Sequence, residues 1–277
     1  MRPVGGLRDV RAVVTDLDGT IIRADGTASE ATVAACQALR AAGIPLVAAT
    51  ARTPAGIRAL GGLAPLISIA VCCTGAIGYD PAADRYLWRE RMPRETLATL
   101  LDRLSAQLPE AEVAVYDGRA WFMTAAYRAV RGADHFGPRA VVERRWLPRV
   151  DACVAAVCHP DLGPPALIAA LSAVGATPVA ASFGQAGHRV VEVAPAGIDK
   201  ASGVRRALAA LDVPPECAVA FGDMPIDLPM FAAVGLGVAM ADAHPEVLTA
   251  AGDSTGSVDE DGFAAWLRRE RVIGAEA

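Results

Sequence analysis

Aromatic residues make up only 5% of this 277-residue chain, and of its 26 basic residues just one, Lys200, is a lysine. Basic charge is not in excess either: 26 Lys and Arg against 31 Asp and Glu leave a formal charge of −5. A broad nucleic-acid surface needs a basic face, so no nucleic-acid partner is expected. No run approaches the ~18 consecutive apolar residues of a spanning helix, so no membrane partner is expected. A signal-peptide pattern is missing too, because a charged, strand-like segment begins by about Arg11. The six cysteines (Cys36, Cys72, Cys73, Cys153, Cys158 and Cys217) show no C-x-x-C spacing, and most lie in apolar runs. Buried free thiols in a reducing compartment are the expectation, and with them a soluble, cytoplasmic protein.

What is present is enough to fold. The chain is 53% hydrophobic and 21% charged, near globular averages, and its length suits one large domain or two smaller ones. Alanine richness and the arginine preference suggest a GC-rich coding bias. A lysine kept against that bias marks a place where a compact ammonium fits and a planar guanidinium does not.

The segment Arg11-Ala-Val-Val-Thr-Asp16 is a β-branched apolar run ending in carboxylates and Gly19, a buried strand entering a loop. Ser29 is placed to cap a helix through about Ala42, ended by Gly43. A strand over 44–49, a short helix from about Pro54 and a strand over 66–72 follow. Strands alternating with helices imply a parallel, doubly wound sheet. After about Pro81 the pattern changes. Segments 84–90, 112–116, 120–124, 152–158 and 176–182 look strand-like, with a hairpin signal at Asp117-Gly118 and helical stretches near 94–107 and 164–174. From Val190 the earlier rhythm resumes: strands 190–194, 217–221 and 235–239, helices 199–211, 226–233 and 244–250. The expected architecture is α/β: a doubly wound parallel, Rossmann-like core of residues 1–80 and 189–277, with an α+β cap inserted over 81–188.

Polar residues fall at the strand ends of that plan. Asp16 and Asp18 follow the first strand, Thr50 the second, and Asp223 and Asp227 the strand ending Ala220-Phe221, while Lys200 opens a helix. Open parallel sheets bind ligands outside the carboxyl ends of their strands. One edge therefore gathers four carboxylates, a hydroxyl and an ammonium. Clustered carboxylates repel unless a hard cation joins them, and Mg²⁺ suits oxygen ligands completed by a phosphate. Thr50 and Lys200 then fit as partners of that phosphate.

Asp16-Leu-Asp18-Gly19-Thr20, Thr50, Lys200 and Gly222-Asp223-Met-Pro-Ile-Asp227 resemble the four ordered motifs of the haloacid dehalogenase superfamily. The large insertion between Thr50 and Lys200, and the tail Val238-Ala-Met240-Ala-Asp242-Ala243, are similar to its Cof-like phosphatases. The resemblance implies a Mg²⁺-dependent phosphomonoesterase acting on a small phosphorylated metabolite, most plausibly a sugar phosphate. It implies Asp16 as nucleophile and Asp18 as acid and base. Thr50, the Ala51 N–H and Lys200 would bind phosphate. The metal would be held by Asp16, the Asp18 carbonyl and Asp223, with Asp227 as a ligand or just behind. A phosphomutase or phosphotransferase of the same superfamily, or a non-catalytic phosphometabolite-binding protein, are the alternatives. Departures stand at Ala51, Thr74, Asp242 and Ile226, where many relatives carry Gly, Asn, Asn and Asn; Ile226 cannot donate to a phosphate. In the cap, Arg119, Arg128, Arg131, His135, Arg139, Arg144 and Arg145 are candidates for touching the leaving group. His159 beside Cys158 lacks a second His/Cys pair at ligand spacing, so zinc is not expected. His188 and His244 read as a strand start and a helix start. Oligomeric state is not legible.

Overall fold

The computed structural model describes residues 9–131, 137–176, 178–182 and 190–274. In chain order the elements are β1 (Ala12–Thr15), α1 (Glu30–Ala41), β2 (Leu46–Ala49), α2 (Pro54–Arg58), β3 (Ile69–Cys72), β4 (Ile77–Asp80), β5 (Arg85–Arg89) and α3 (Arg94–Gln107). Then come β6 (Glu112–Tyr116), β7 (Trp121–Met123), α4 (Ala125–Arg131), β8 (Arg139–Val141), β9 (Val154–Cys158), α5 (Pro164–Ala173), β10 (Pro178–Ser182) and β11 (Val190–Val193). The chain closes with α6 (Lys200–Ala210), β12 (Ala218–Gly222), α7 (Leu228–Phe231), β13 (Leu236–Ala239), α8 (Pro245–Ala250), β14 (Asp253–Ser254) and α9 (Gly262–Arg269).

Among the described residues these strands form two sheets, ordered β14-β13-β12-β1-β2-β3-β4-β5 and β10-β11-β9-β6-β7-β8. The first is parallel from β14 to β3 and antiparallel at β4 and β5, so the doubly wound α/β core expected from the sequence is present. Strands β1, β2, β3, β12 and β13 are buried along their whole length, as strands covered on both faces must be. On one face Phe221 meets Phe263 and Trp266 of α9 edge-on, at ring-centroid distances of 5.0 and 5.1 Å. On the other, Val14, Val47 and Val71 pack with Val204 and Leu208 of α6. The second sheet lays Val113, Val115, Val157 and Val191 against the leucines of α3 and α5. Its opposite face, including Tyr116 and Cys153, joins the core cluster through Ile77 and Tyr79.

Two strands sit elsewhere than the sequence suggests. Arg85–Arg89, read as the start of the insertion, pairs with β4 in the first sheet. The Asp80 carboxylate accepts the Ala82 and Ala83 N–H groups, a tight turn that folds the chain straight back on itself. Val190–Val193, read as the strand on which the core resumes, lies between β9 and β10 in the second sheet. A four-residue apolar run reveals that it is buried but not by which sheet. Other elements match expectation: the Ser29 hydroxyl caps α1 through the Thr32 N–H, and Gly118 takes φ +95° in the Asp117-Gly118 hairpin. Five of the six cysteines are buried, and Cys217 is half-buried. Among the described residues no helix is long and apolar enough to cross a membrane.

Candidate active site

Three parallel strands deliver the expected residues to one edge. The Asp16 N–H donates to Phe221 at 2.9 Å, and the Thr50 N–H to Val71 at 2.9 Å, so each loop leaves its strand still tied to the neighbouring one. Beyond Asp16 the chain turns tightly, with the N–H groups of Thr20, Ile21 and Ile22 all donating to the Leu17 carbonyl. Gly19 takes φ +86° there, and a β-carbon on it would lie 2.5 Å from Asp223 Oδ2. Only glycine lets the β1 and β12 loops approach so closely.

The centre is an ion-pair cluster. Lys200 is the first residue of α6, whose N-cap Asp199 exchanges hydrogen bonds with Ser202. Its ammonium, 2% exposed, donates to Asp16 Oδ1 at 2.6 Å and to Asp227 Oδ1 at 2.7 Å. Asp227, 0% exposed, has its second oxygen filled by the N–H groups of Asp223 (3.1 Å) and Met224 (3.0 Å). Asp223 accepts from the Thr20 hydroxyl at 3.0 Å. Three carboxylates thus face one ammonium. Burial pushes the Asp16 carboxyl up to about 8, against the pull of Lys200 and with Asp227 and Asp223 adding to the rise. Burial, then Asp227, pushes Asp223 up to about 6. Lys200 is driven upward by Asp16 and Asp227 in spite of its own burial. Excess negative charge in a desolvated place is what a cation relieves. Asp16, Asp223 and Asp227 each offer an oxygen within 4.8 Å of the others, an all-oxygen set that fits a hard divalent metal.

Asp18 stands apart. Its carboxylate, 57% exposed, is gripped by Arg52, with Nε to Oδ2 at 2.8 Å and Nη2 to Oδ1 at 2.6 Å. Arg52 has no part in the sequence reading, since nothing in its sequence setting marks it out from the other arginines. The buried Thr50 hydroxyl accepts the Arg52 N–H at 3.1 Å. Ala51 is exposed, its φ is negative, and its N–H has no partner among the described residues. Thr74 is buried at φ +52° and donates to Glu192 at 3.3 Å. That left-handed backbone is one that a β-branched residue rarely adopts and that Asn tolerates better. Ile226 is half-buried in the Pro225–Asp227 turn, and Asp242 is exposed.

The cap candidates scatter. Arg128 and Arg139 are exposed, Arg145 pairs with Glu143, and Arg144 donates to the Ala111 carbonyl. His135, His188 and the Arg131 side chain lie outside the described residues. His244 is the N-cap of α8. His159 Nδ1 accepts the Asp161 and Leu162 N–H groups, and its Nε2 is 3.9 Å from Glu110.

The family model of the haloacid dehalogenase-like hydrolases matches residues 13–267. The 5-amino-6-(5-phospho-D-ribitylamino)uracil phosphatase YitU of Bacillus subtilis is 26% identical over 261 residues, 92% of this chain and 96% of that protein. A phosphatase of the haloalkanoate enzyme superfamily from Bacteroides thetaiotaomicron superposes with a TM-score of 0.80 at 22% identity, covering 97% of each chain. A subclass IIB sugar phosphatase superposes with a TM-score of 0.79 at 18% identity, over 95% of this chain and 100% of that one.

Proposed function

From the premise that this chain belongs to the haloacid dehalogenase-like hydrolase family, and is a phosphatase of it, we propose that it hydrolyses a small phosphorylated metabolite of the sugar-phosphate class through an aspartyl-phosphate. One observation carries this reading: Asp16 is 7% exposed at the end of β1, with one oxygen held by Lys200 and three carboxylates converging. A buried carboxylate with a fixed orientation is a poor surface charge but a good nucleophile.

The Asp16 carboxylate attacks phosphorus, the bond to the leaving oxygen breaks, and Asp18 gives that oxygen its proton. Water then attacks the phosphoryl group, Asp18 takes the water's proton, and inorganic phosphate leaves with Asp16 regenerated. For either transfer Asp18 must swing out of its Arg52 clamp, so Arg52 parks the acid between turnovers. Thr50, the free Ala51 N–H and Lys200 hold the phosphoryl oxygens as charge spreads over them. Asp227 fixes Lys200 with one oxygen and the Asp223 loop with the other.

Mg²⁺ would be held by Asp16, the Asp18 carbonyl and Asp223, with Asp227 beside them; when bound it offsets the repulsion between an anionic nucleophile and an anionic phosphate. The second sheet with α3, α4 and α5 is assigned as a cap that selects the leaving group, and burial of most cysteines in the apolar core fits a cytoplasmic setting. A phosphate-release screen over phosphorylated metabolites, with and without Mg²⁺, tests the whole reading. Metal-dependent release without an added acceptor is expected. Transfer only to an acceptor hydroxyl, or no release from any compound, overturns it.

A further inference from the structure

A cavity of about 620 Å³ is lined by none of Asp16, Asp18, Thr50, Lys200, Asp223 or Asp227. Its wall carries four arginines, Arg89, Arg91, Arg119 and Arg149, against two aspartates. Both aspartates are already engaged. Asp117 accepts the N–H groups of Arg119 and Ala120, each at 2.7 Å, and Asp151 is paired with Arg94 at 2.9 Å and with Arg91 of the same wall at 3.9 Å. Among the described residues, Arg89, Arg119 and Arg149 pair with no carboxylate, although ion pairs are frequent elsewhere in this acidic chain. Four arginines against two aspartates leave the concavity with an excess of positive charge, which raises the local concentration of anions.

The same wall has an aromatic floor. Trp146 is 45% exposed in a chain with few aromatics, and its indole lies under the Arg149 guanidinium at 4.1 Å. Phe122, Val142 and Val150 add apolar surface beside it. Inorganic phosphate would use the arginines and waste the indole; a hydrocarbon would use the indole and strand the arginines. We infer that this cavity is a second ligand site, separate from the carboxylate cluster, for a small anion of two or more charges joined to a flat ring, as in a nucleoside phosphate. Arg89 ends β5 in the first sheet, and Arg91 lies on the segment into α3, whereas Arg119 sits in the turn joining β6 to β7, and Trp146 and Arg149 in the helical turn between β8 and β9. A bound anion therefore touches the end of a first-sheet strand and two connections of the second sheet at once.

The test is calorimetric titration of the full chain with α,β-methylene ADP, whose terminal phosphonate cannot be released by phosphomonoester hydrolysis. Methylenediphosphonate serves as the ringless control. The nucleotide analogue should saturate at micromolar concentration and bind at least fivefold tighter than the control, since stacking a base on an aromatic ring gives about fivefold or more. Trp146→Ala should abolish that advantage. Arg89→Gln with Arg149→Gln should weaken both ligands about tenfold or more. Turnover of p-nitrophenyl phosphate by each variant should stay within about twofold of the parent. Absence of saturation below about 1 mM in the unmodified protein overturns the inference without recourse to any variant. Equal affinity for the two ligands, or unchanged binding in the double arginine variant, overturns it too. A protein with no phosphatase activity that still binds the analogue leaves this inference standing and sinks the proposed function instead.

Discussion

Replacing Lys200 by methionine keeps most of the unbranched side chain, one atom shorter, and removes its charge. Asp16 and Asp227 then face each other in a place where the ammonium was 2% exposed and bonded to them at 2.6 and 2.7 Å. Taking one partner from a buried ion pair costs about 3–5 kcal/mol, because the charge left behind has neither water nor a counterion. The two contacts share one ammonium, so they are counted once. The cost also has a direction in pH. The Asp16 carboxyl in the parent sits at about 8, above its ordinary value of 3.8, so its contribution to stability is present at low pH and lost as pH rises through about 8. Without Lys200 the folded carboxyl holds its proton still more firmly, and the loss on deprotonation is larger. The gap between parent and variant should therefore be widest near pH 9 and narrower near pH 6. Urea unfolding of both metal-free proteins at the two pH values measures it. A gap below about 1 kcal/mol near pH 9, or one that shrinks as pH rises, would refute the reasoning.

Three shorter predictions accompany it. Asp16→Asn keeps the shape and deletes the attacking charge, so phosphate release should fall by several orders of magnitude with the fold intact by circular dichroism; retention of more than about a tenth of the rate removes Asp16 from the nucleophile's role. Gly19→Ala places a β-carbon 2.5 Å from Asp223 Oδ2 at φ +86°. It should cost about 1–2 kcal/mol in backbone strain and raise the Mg²⁺ concentration needed for half-maximal activity, and an unchanged Mg²⁺ titration counts against Asp223 as a ligand. Asp16 and Asp223, raised to about 8 and about 6, favour the metal-free fold at low pH and penalise it as pH climbs. The gain in Tm on adding Mg²⁺ should accordingly be larger near pH 8 than near pH 5, and an equal gain at both speaks against a cation on these carboxylates.

The parallel core was legible because its strands announce themselves twice, as apolar runs and by the polar residue at the end of each. Asp16, Thr50 and Asp223 come directly after β1, β2 and β12, and strand ends in a parallel sheet share an edge. Lys200 was legible through scarcity. Arg52 was not, because an arginine among 26 basic residues carries no signal until the fold sets it against Asp18. Strands β5 and β11 show the other limit, since local pattern fixes burial while sheet membership depends on partners far along the chain. Helix α9 went unread although Phe263, Trp266 and Leu267 are buried; eight residues, barely two turns, make too short a pattern to separate from a loop.

The position of β1 has a consequence for how the chain is made. Its inner neighbours are β2, where Val13 pairs with Leu46, and β12, where Ala12 pairs with Ala218. At roughly 5–20 residues per second, a ribosome needs roughly 10–35 s to travel from the first partner to the second. Throughout that interval Ala-Val-Val-Thr offers an uncharged, unpaired edge, the kind of strand that recruits other chains. Everything in the second sheet emerges before the edge can be covered. The nascent protein must therefore wait, half-built and adhesive, for the strand that completes both its core and its chemistry.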